Sequence, residues 1–529
     1  MARGFGVTRV GGPAVSPDTL FQAASISKPV TAMAVLHLAE SGKLDLDADV
    51  NQYLKTWKVP ANKFTEKTKV TLRELLTHTA GMTVHGFPGY ASDSARPTLV
   101  QVLNGETPAN TPAILVDTIP GTNWRYSGGG FVVTQLLLED VTGQSFPKLM
   151  RDIALGPMGM TRSTYEQPLP ESRMAEAAMP YRQDGQAVPG GPHVYPEMAP
   201  AGLWTTPSDL ARYAIEVQKA LAGKSSAVLS AAMAREMLKP GMNRWGLGVE
   251  TGGSGEHPYF THGGANEGFQ CNLVAYNNGD GAVIMTNSDS GGTLAAEILR
   301  TVAYEYKWPD FAPREIAERK EPVSSDILAR YVGIYAIVPG VNMTITLADG
   351  QLISQVSGQG KVPLSAESET TFVPEGIDAQ IEFPKDDAKG PASQLILHQA
   401  GRDMTAKRLD DAEAKKVADA AAAYDKRFKD QTAAPGSEAA LRRMVEELQQ
   451  GKPNYDLMSP GLADATRQQL PQLQPMIAGL GALQSLKFTG VGTGGADIYQ
   501  VKFEKGSLEY RIWLAPDGKV ESANLRPAQ

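Results

Sequence analysis

The chain has 529 residues, with 50 lysines and arginines against 58 aspartates and glutamates, for a formal net charge of −8. That length is too great for one core and sets an expectation of roughly two to four domains. Mild acidity with no basic stripe gives no reason to expect nucleic acid or an anionic membrane as a partner.

The opening Met1-Ala2-Arg3-Gly4 does not start a signal peptide. The chain as given therefore reads as cytoplasmic, with a periplasmic or secreted precursor as the alternative. Residues 5–10 read as a strand, so a longer precursor or an upstream pairing strand is expected. No uninterrupted apolar stretch reaches spanning length, and no transmembrane helix is expected.

The stretch that organises the chain is Phe21-Gln22-Ala23-Ala24-Ser25-Ile26-Ser27-Lys28-Pro29-Val30, which turns from a strand-like run into an apolar helix over 30–39. Residues three apart share a helix face, so Ser25 Oγ and Lys28 Nζ can meet. A hydroxyl becomes a nucleophile when a base removes its proton, and an amine becomes a base when desolvation lowers its pKa. Val30, Met33, Ala34, Val35, Leu36 and Leu38 supply that dry setting. The same spacing recurs at Ser145-Phe146-Pro147-Lys148, in a polar connection after Thr142-Gly143, where it reads as a helix start.

Further along, the alternating acids of residues 44–51 fail as a calcium loop, because Val50 and Thr56 stand where glycine and glutamate are needed. His78, between threonines at a helix end, reads as a loop-fixing residue more readily than as a base. The segment Gly121 to Gly130 places Tyr126 before three glycines that permit close backbone approach. A phenol with a lowered pKa beside a lysine would shuttle the nucleophile's proton. Thr206 and Pro207 read as the cap and first residue of a helix.

Strands are expected over 245–250, 259–265, 269–276 and 282–286, with a hairpin at Asn277-Asn278-Gly279-Asp280-Gly281, and then a helix over 294–306. Cys271 is the only cysteine, which excludes an internal disulfide and a cysteine-based metal cluster. It reads as inert core. No metal and no cofactor are expected. A Pro- and charge-rich linker follows at 309–325, then a small antiparallel β unit at 326–409. An alanine-rich spacer at 410–436 leads to a small α+β unit at 437–529.

Ser25-Ile26-Ser27-Lys28, Tyr126-Ser127-Gly128 and His262-Gly263-Gly264, in that order, resemble the serine β-lactamase and penicillin-binding-protein superfamily. The likeness is greatest to its class C β-lactamase, D-aminopeptidase and family VIII carboxylesterase group. Leu75 to Met82, Leu155 to Met160 and Gly202 to Thr206 resemble that group too. The resemblance spans about residues 1–306 and implies an α+β fold for a domain at 1–308: an antiparallel sheet flanked by helices, with a helical subdomain. The second unit is expected to be β-barrel-like.

The resemblance also implies Ser25 as acyl-forming nucleophile and Lys28 and Tyr126 as its proton-handling partners. It implies an oxyanion hole from the backbone N–H groups of Ser25 and Ala265. His262, Gly263, Gly264 and Gly128 are then expected to face substrate. Two departures shape specificity. Gly128 stands where the group carries an asparagine that holds a substrate acylamide, and His262 stands in place of a lysine that pairs with a substrate carboxylate. Neither touches ester chemistry, so the expected activity is a carboxylesterase on small or medium acyl esters with weak or no β-lactamase activity. The alternatives are a D-amino-acid-specific peptidase or amidase, a β-lactamase, and a non-catalytic penicillin-binding-like sensor. The expected partner is a small-molecule ester or amide; the oligomeric state stays open. An α/β-hydrolase is excluded by the lack of a Gly-x-Ser-x-Gly pentapeptide.

Overall fold

The computed structural model describes residues 1–253, 255, 257–311, 322–338, 341–357, 359–375, 377, 379–384, 390–399, 402–492, 495–515 and 517–527. The chain divides into two compact units, 1–313 and 314–529.

The first unit is built on the helix Ser27–Glu40, buried from Ser27 through Leu36 and again at Leu38. A helix apolar on every face has to lie inside, and this one does. The short helix Met198–Ala201 packs on it and on the glycine-led helix Gly128–Thr142. Two carbonyls of the short helix face the central one: Ala199 O accepts from Thr31 Oγ1 (3.2 Å) and Pro200 O from Lys28 Nζ (3.0 Å). Thr206 caps the helix Pro207–Leu221 as expected, its side chain accepting from the Asp209 N–H.

The sheet of this unit is antiparallel and four-stranded, in the order Glu250–Gly252, Tyr259–Asn266, Phe269–Tyr276, Gly281–Thr286. The helix Gly291–Glu305 packs on it. Two expected strands do not form. Residues 5–10 make only an isolated bridge, Val7 with Ala14. Residues 245–249 are a loop whose glycines let it lie on the central helix, since a Cβ at Gly248 would stand 2.6 Å from Ala32 Cβ. Cys271 is buried core, its thiol pushed up to about 12 by that burial.

In the second unit eight antiparallel strands, from Gly333–Val338 to Arg402–Arg408, close into a barrel around Tyr335, Ile345, Phe372, Ile381, Phe383 and Leu395. The alanine-rich stretch expected as a spacer is one capped helix, Asp411–Asp430. Arg427 near its end pairs with Asp497 of the final sheet, which is 1% exposed. Helices Ser437–Gln449 and Pro460–Gly479 pack on that four-stranded antiparallel sheet. The expected linker falls largely on residues 312–321, outside the described residues. Among the described residues no helix is long and apolar enough to cross a membrane.

Gly264 fixes how closely the sheet approaches the run before the central helix, because a Cβ there would stand 2.3 Å from the Ala23 carbonyl oxygen. Gly264→Val is expected to lower the urea midpoint of the first unit by the equivalent of about 1–3 kcal/mol. An unchanged midpoint would show that the two elements separate freely.

Candidate active site

Ser25 occupies the middle of a single 3₁₀ turn, Ala24–Ile26, which feeds directly into the central helix. Ala24, fully buried, is held at φ +50°. Left-handed backbone costs a non-glycine residue about 1–2 kcal/mol, and strain of this kind gathers at functional sites. Its effect is a sharp corner that leaves Ser25 partly exposed between buried neighbours. Ser27 braces the corner: its hydroxyl donates to Ala24 O (2.5 Å) and accepts from the Leu203 N–H (3.0 Å). A buried amide chain ties it to the sheet, Asn266 Nδ2 donating to Gln22 Oε1 (2.8 Å) and to Ala201 O (3.1 Å).

Lys28, one turn on, is 2% exposed. Its Nζ lies 3.0 Å from Ser25 Oγ and 3.0 Å from Pro200 O. Burial draws its pKa from 10.5 down to about 7. The amine faces the ring of Tyr126, 4.9 Å from the centroid, and that of Phe131 at 5.9 Å.

Tyr126 lies beside Ser25, whose side chain acts on its phenol. Its pKa is raised well above 10, opposite to the lowered phenol expected from sequence. Burial dominates over the effect of Ser25, and the lysine lies over the ring face. Tyr126 is therefore protonated across the physiological range.

Three imidazoles surround it. His78 is 2% exposed, at φ +59°, with its ring 4.3 Å from Tyr126. Its Nδ1 accepts the Ser127 N–H (3.2 Å) and its carbonyl accepts the Arg125 N–H (2.8 Å), so it holds both chain neighbours of Tyr126. Burial first, then the charges of Lys28, His262 and His85, press its pKa well below 6.5. That is the loop-fixing role expected of it.

His262 is buried, with Nδ1 2.5 Å from Gly263 O, and its pKa falls to about 3 through burial and then the charge of Lys28. It stands 6.2 Å from Tyr126, ring to ring. His85 is exposed, its ring 4.9 Å from the phenol.

The strand Tyr259–Asn266 pairs with the next strand from Tyr259↔Tyr276 to Asn266↔Phe269, across the two-residue turn Glu267-Gly268. Antiparallel pairs alternate between bonded and non-bonded, and the pair closing a two-residue turn is bonded. Ala265 thus falls on a non-bonded pair, with its N–H turned to the open edge, and it is exposed. Gly263 is exposed as well. Gly264 is buried against Ala23, and Gly128 is also covered. A Cβ on Gly128 would stand 2.9 Å from Phe87 Cε2 and 3.1 Å from His85 O. The neighbours that the glycines admit are therefore parts of this same chain.

Sequence reasoning missed Trp245, read as strand, whose ring lies 5.7 Å from Tyr126 and 5.6 Å from His262. The glycines at 241, 246 and 248 around it were the available loop signal. His85, Phe87 and Trp124 carried no pattern, and neither did the strained Ala24.

A partly exposed serine and a buried lysine in Ser–x–x–Lys at the head of a central helix, facing the edge of an antiparallel sheet, define the serine β-lactamase and penicillin-binding-protein-like class, whose family members are serine hydrolases. The chain belongs to the Beta-lactamase family, whose model matches residues 1–306. A second model, described as a domain of unknown function (DUF3471), matches residues 317–413. Penicillin-binding protein 4* of Bacillus subtilis (strain 168) is 24% identical over 417 residues, covering 74% of this chain and 88% of that protein. Protein flp of Staphylococcus aureus (strain N315) is 30% identical over 197 residues, 36% of either chain. The structure of the octameric penicillin-binding protein homologue from Pyrococcus abyssi shares the fold with a TM-score of 0.50 at 21% identity, over 77% of this chain and 93% of that one.

Because the folded lysine titrates near 7 and the unfolded one near 10.5, its burial destabilises fully below pH 7 and progressively less as pH rises toward 10.5. Lys28→Met is expected to raise the melting temperature by on the order of a few degrees at pH 6, with the gain shrinking by pH 9. A gain equal at both pH values would contradict the assignment.

Proposed function

We propose that the protein is a carboxylesterase on small or medium acyl esters, working through an acyl-enzyme on Ser25. The observation that carries this reading is the 3.0 Å contact between Ser25 Oγ and a buried amine that is about half neutral at pH 7. The neutral amine takes the hydroxyl proton as Oγ attacks the ester carbonyl. The resulting oxyanion is held by the N–H groups of Ser25 and Ala265, donors worth about 2.7–4 kcal/mol each in other hydrolases. Tyr126, protonated and beside Ser25, gives its proton to the leaving alcohol and regains one from the Lys28 ammonium. Water then attacks the acyl-enzyme with the same groups acting in reverse, restoring the serine hydroxyl.

Two features favour esters over amides or carboxylate-bearing substrates. His262 is neutral at any pH above about 3 and offers no cation for a carboxylate. Position 128 carries no side chain to hold an acylamide. Relatives named as penicillin-binding proteins favour a second reading, acylation by β-lactams, in which the same serine and lysine serve.

Hydrolysis of p-nitrophenyl butyrate, with D-alanyl p-nitroanilide untouched and nitrocefin turned over slowly or not at all, is the expected outcome. The reverse preference would transfer the reading to an amidase or β-lactamase. Ser25→Ala is expected to abolish both turnover and labelling by a fluorophosphonate. Lys28→Ala and Tyr126→Phe are each expected to cost about 10²-fold or more in kcat. Wild-type kcat in either would remove that residue from the mechanism, and failure of the native protein to label would leave a binding protein without catalysis.

A further inference from the structure

The segment 83–87 lies across the start of the helix Gly128–Thr142. Gly128 N–H donates to His85 O (3.0 Å), Gly129 N–H to Val84 O (3.0 Å), and Ser127 Oγ to Thr83 O (2.8 Å). These carbonyls satisfy amide groups that a helix start leaves free. The fit needs glycines, since a Cβ at Gly129 would stand 2.5 Å from Thr83 O.

Holding the segment there forces Val84 to φ +63°, an outlier for a β-branched residue. Strain of this sort persists only where the surroundings over-determine it. The far end is anchored too. Pro88 O accepts from His193 Nδ1 (2.9 Å), and Gly89 O from Asn110 Nδ2 (2.8 Å).

The clamp carries two rings, one against Tyr126 and one against the Gly128 helix start. His85 is exposed over Tyr126, and the partly buried Phe87, packed on the core, covers Gly128. Trp245 meets the edge of Tyr126. The cations of neighbouring segments are committed, Arg125 to Asp117 and Arg182 to Glu267 (2.9 Å). The surroundings of the reactive hydroxyl are thus flat and aromatic, and those neighbouring arginines are already paired.

We propose that His85 and Phe87 form the specificity wall of the site and that the substrates are uncharged esters carrying an aromatic ring next to the scissile carbonyl. This rests on the esterase reading and deepens it. An aryl group stacks on such rings in offset or edge-on geometry, gaining beyond its area, whereas a charged group there would lose its hydration without gaining a partner. The fixed backbone makes the wall rigid and keeps discrimination from being lost to rearrangement.

The test compares kcat/KM for p-nitrophenyl phenylacetate and p-nitrophenyl acetate in wild type, His85→Ala, Phe87→Ala and Phe87→Leu. A wild-type preference for the aryl ester of about tenfold or more is expected, the scale of an apolar contact in a pocket. Either alanine substitution should reduce that ratio at least fivefold. Phe87→Leu, which keeps the volume over Gly128, should reduce it as well if stacking is the cause. His85 is exposed, so its variant carries the test even if Phe87→Ala fails to fold. A wild type without aryl preference, or ratios unchanged in all variants, overturns the proposal. Fluorophosphonate labelling of the wild type separates the two levels. Labelling without aryl preference sinks the wall and spares the esterase, and absence of labelling sinks the esterase itself.

Discussion

The dependence that governs the first unit is the burial of one amine. Lys28 sits on a helix buried over most of its length, its Nζ held between a serine hydroxyl and the Pro200 carbonyl, and no carboxylate among the described residues is hydrogen-bonded to it. A buried ammonium without a counter-ion is costly, and the group responds by giving up its proton near neutrality. The destabilising feature of the core and the reactive feature of the site are therefore the same atom. Everything around it serves to keep water out: Phe131 and Tyr126 over the amine, Trp245 and His78 behind the phenol, and imidazoles whose own burial keeps them neutral. A charged His262 would push the lysine further from protonation and add a second unpaired cation. At about 3 it does neither.

Close approach of backbone to backbone is the second organising constraint. Gly264 lets the sheet edge reach the strained Ala24 corner, Gly248 lets the Trp245 loop reach the central helix, and Gly128 and Gly129 let the 83–87 segment cap the neighbouring helix. Each brings another part of the chain to where a side chain would otherwise stand: the Ala23 carbonyl at Gly264, Ala32 at Gly248, the Phe87 ring at Gly128 and the Thr83 carbonyl at Gly129. The positive φ values at Ala24, His78 and Val84, all within the same site, mark where local comfort is given up for that geometry.

Much of this was legible in the residues. The spacing of Ser25 and Lys28, with an apolar run behind them, announced both the contact and the desolvation, and the glycines before Phe131 announced a close approach. The barrel was legible as the small antiparallel β unit expected over 326–409. What could not be read was the identity of the approaching group at those glycines, because contacts such as Phe87 on Gly128 join residues some forty positions apart with no shared pattern. The direction of the Tyr126 shift was misjudged for a similar reason. The phenol is buried, and that burial outweighs the lowering by Ser25, with the lysine lying over the ring face. The alanine-rich helix Asp411–Asp430 looked detached by composition, yet Arg427 ties it to Asp497.

The chemistry of Ser25 turns on whether that amine is a base at neutral pH. A carbon- or nitrogen-detected NMR titration of lysine side chains in the full chain, with Lys28→Met to assign the signal, measures this directly. A Lys28 midpoint near 7 is the predicted result. A midpoint near 10, as for an exposed lysine, would contradict it and remove the base on which the chemistry of Ser25 depends.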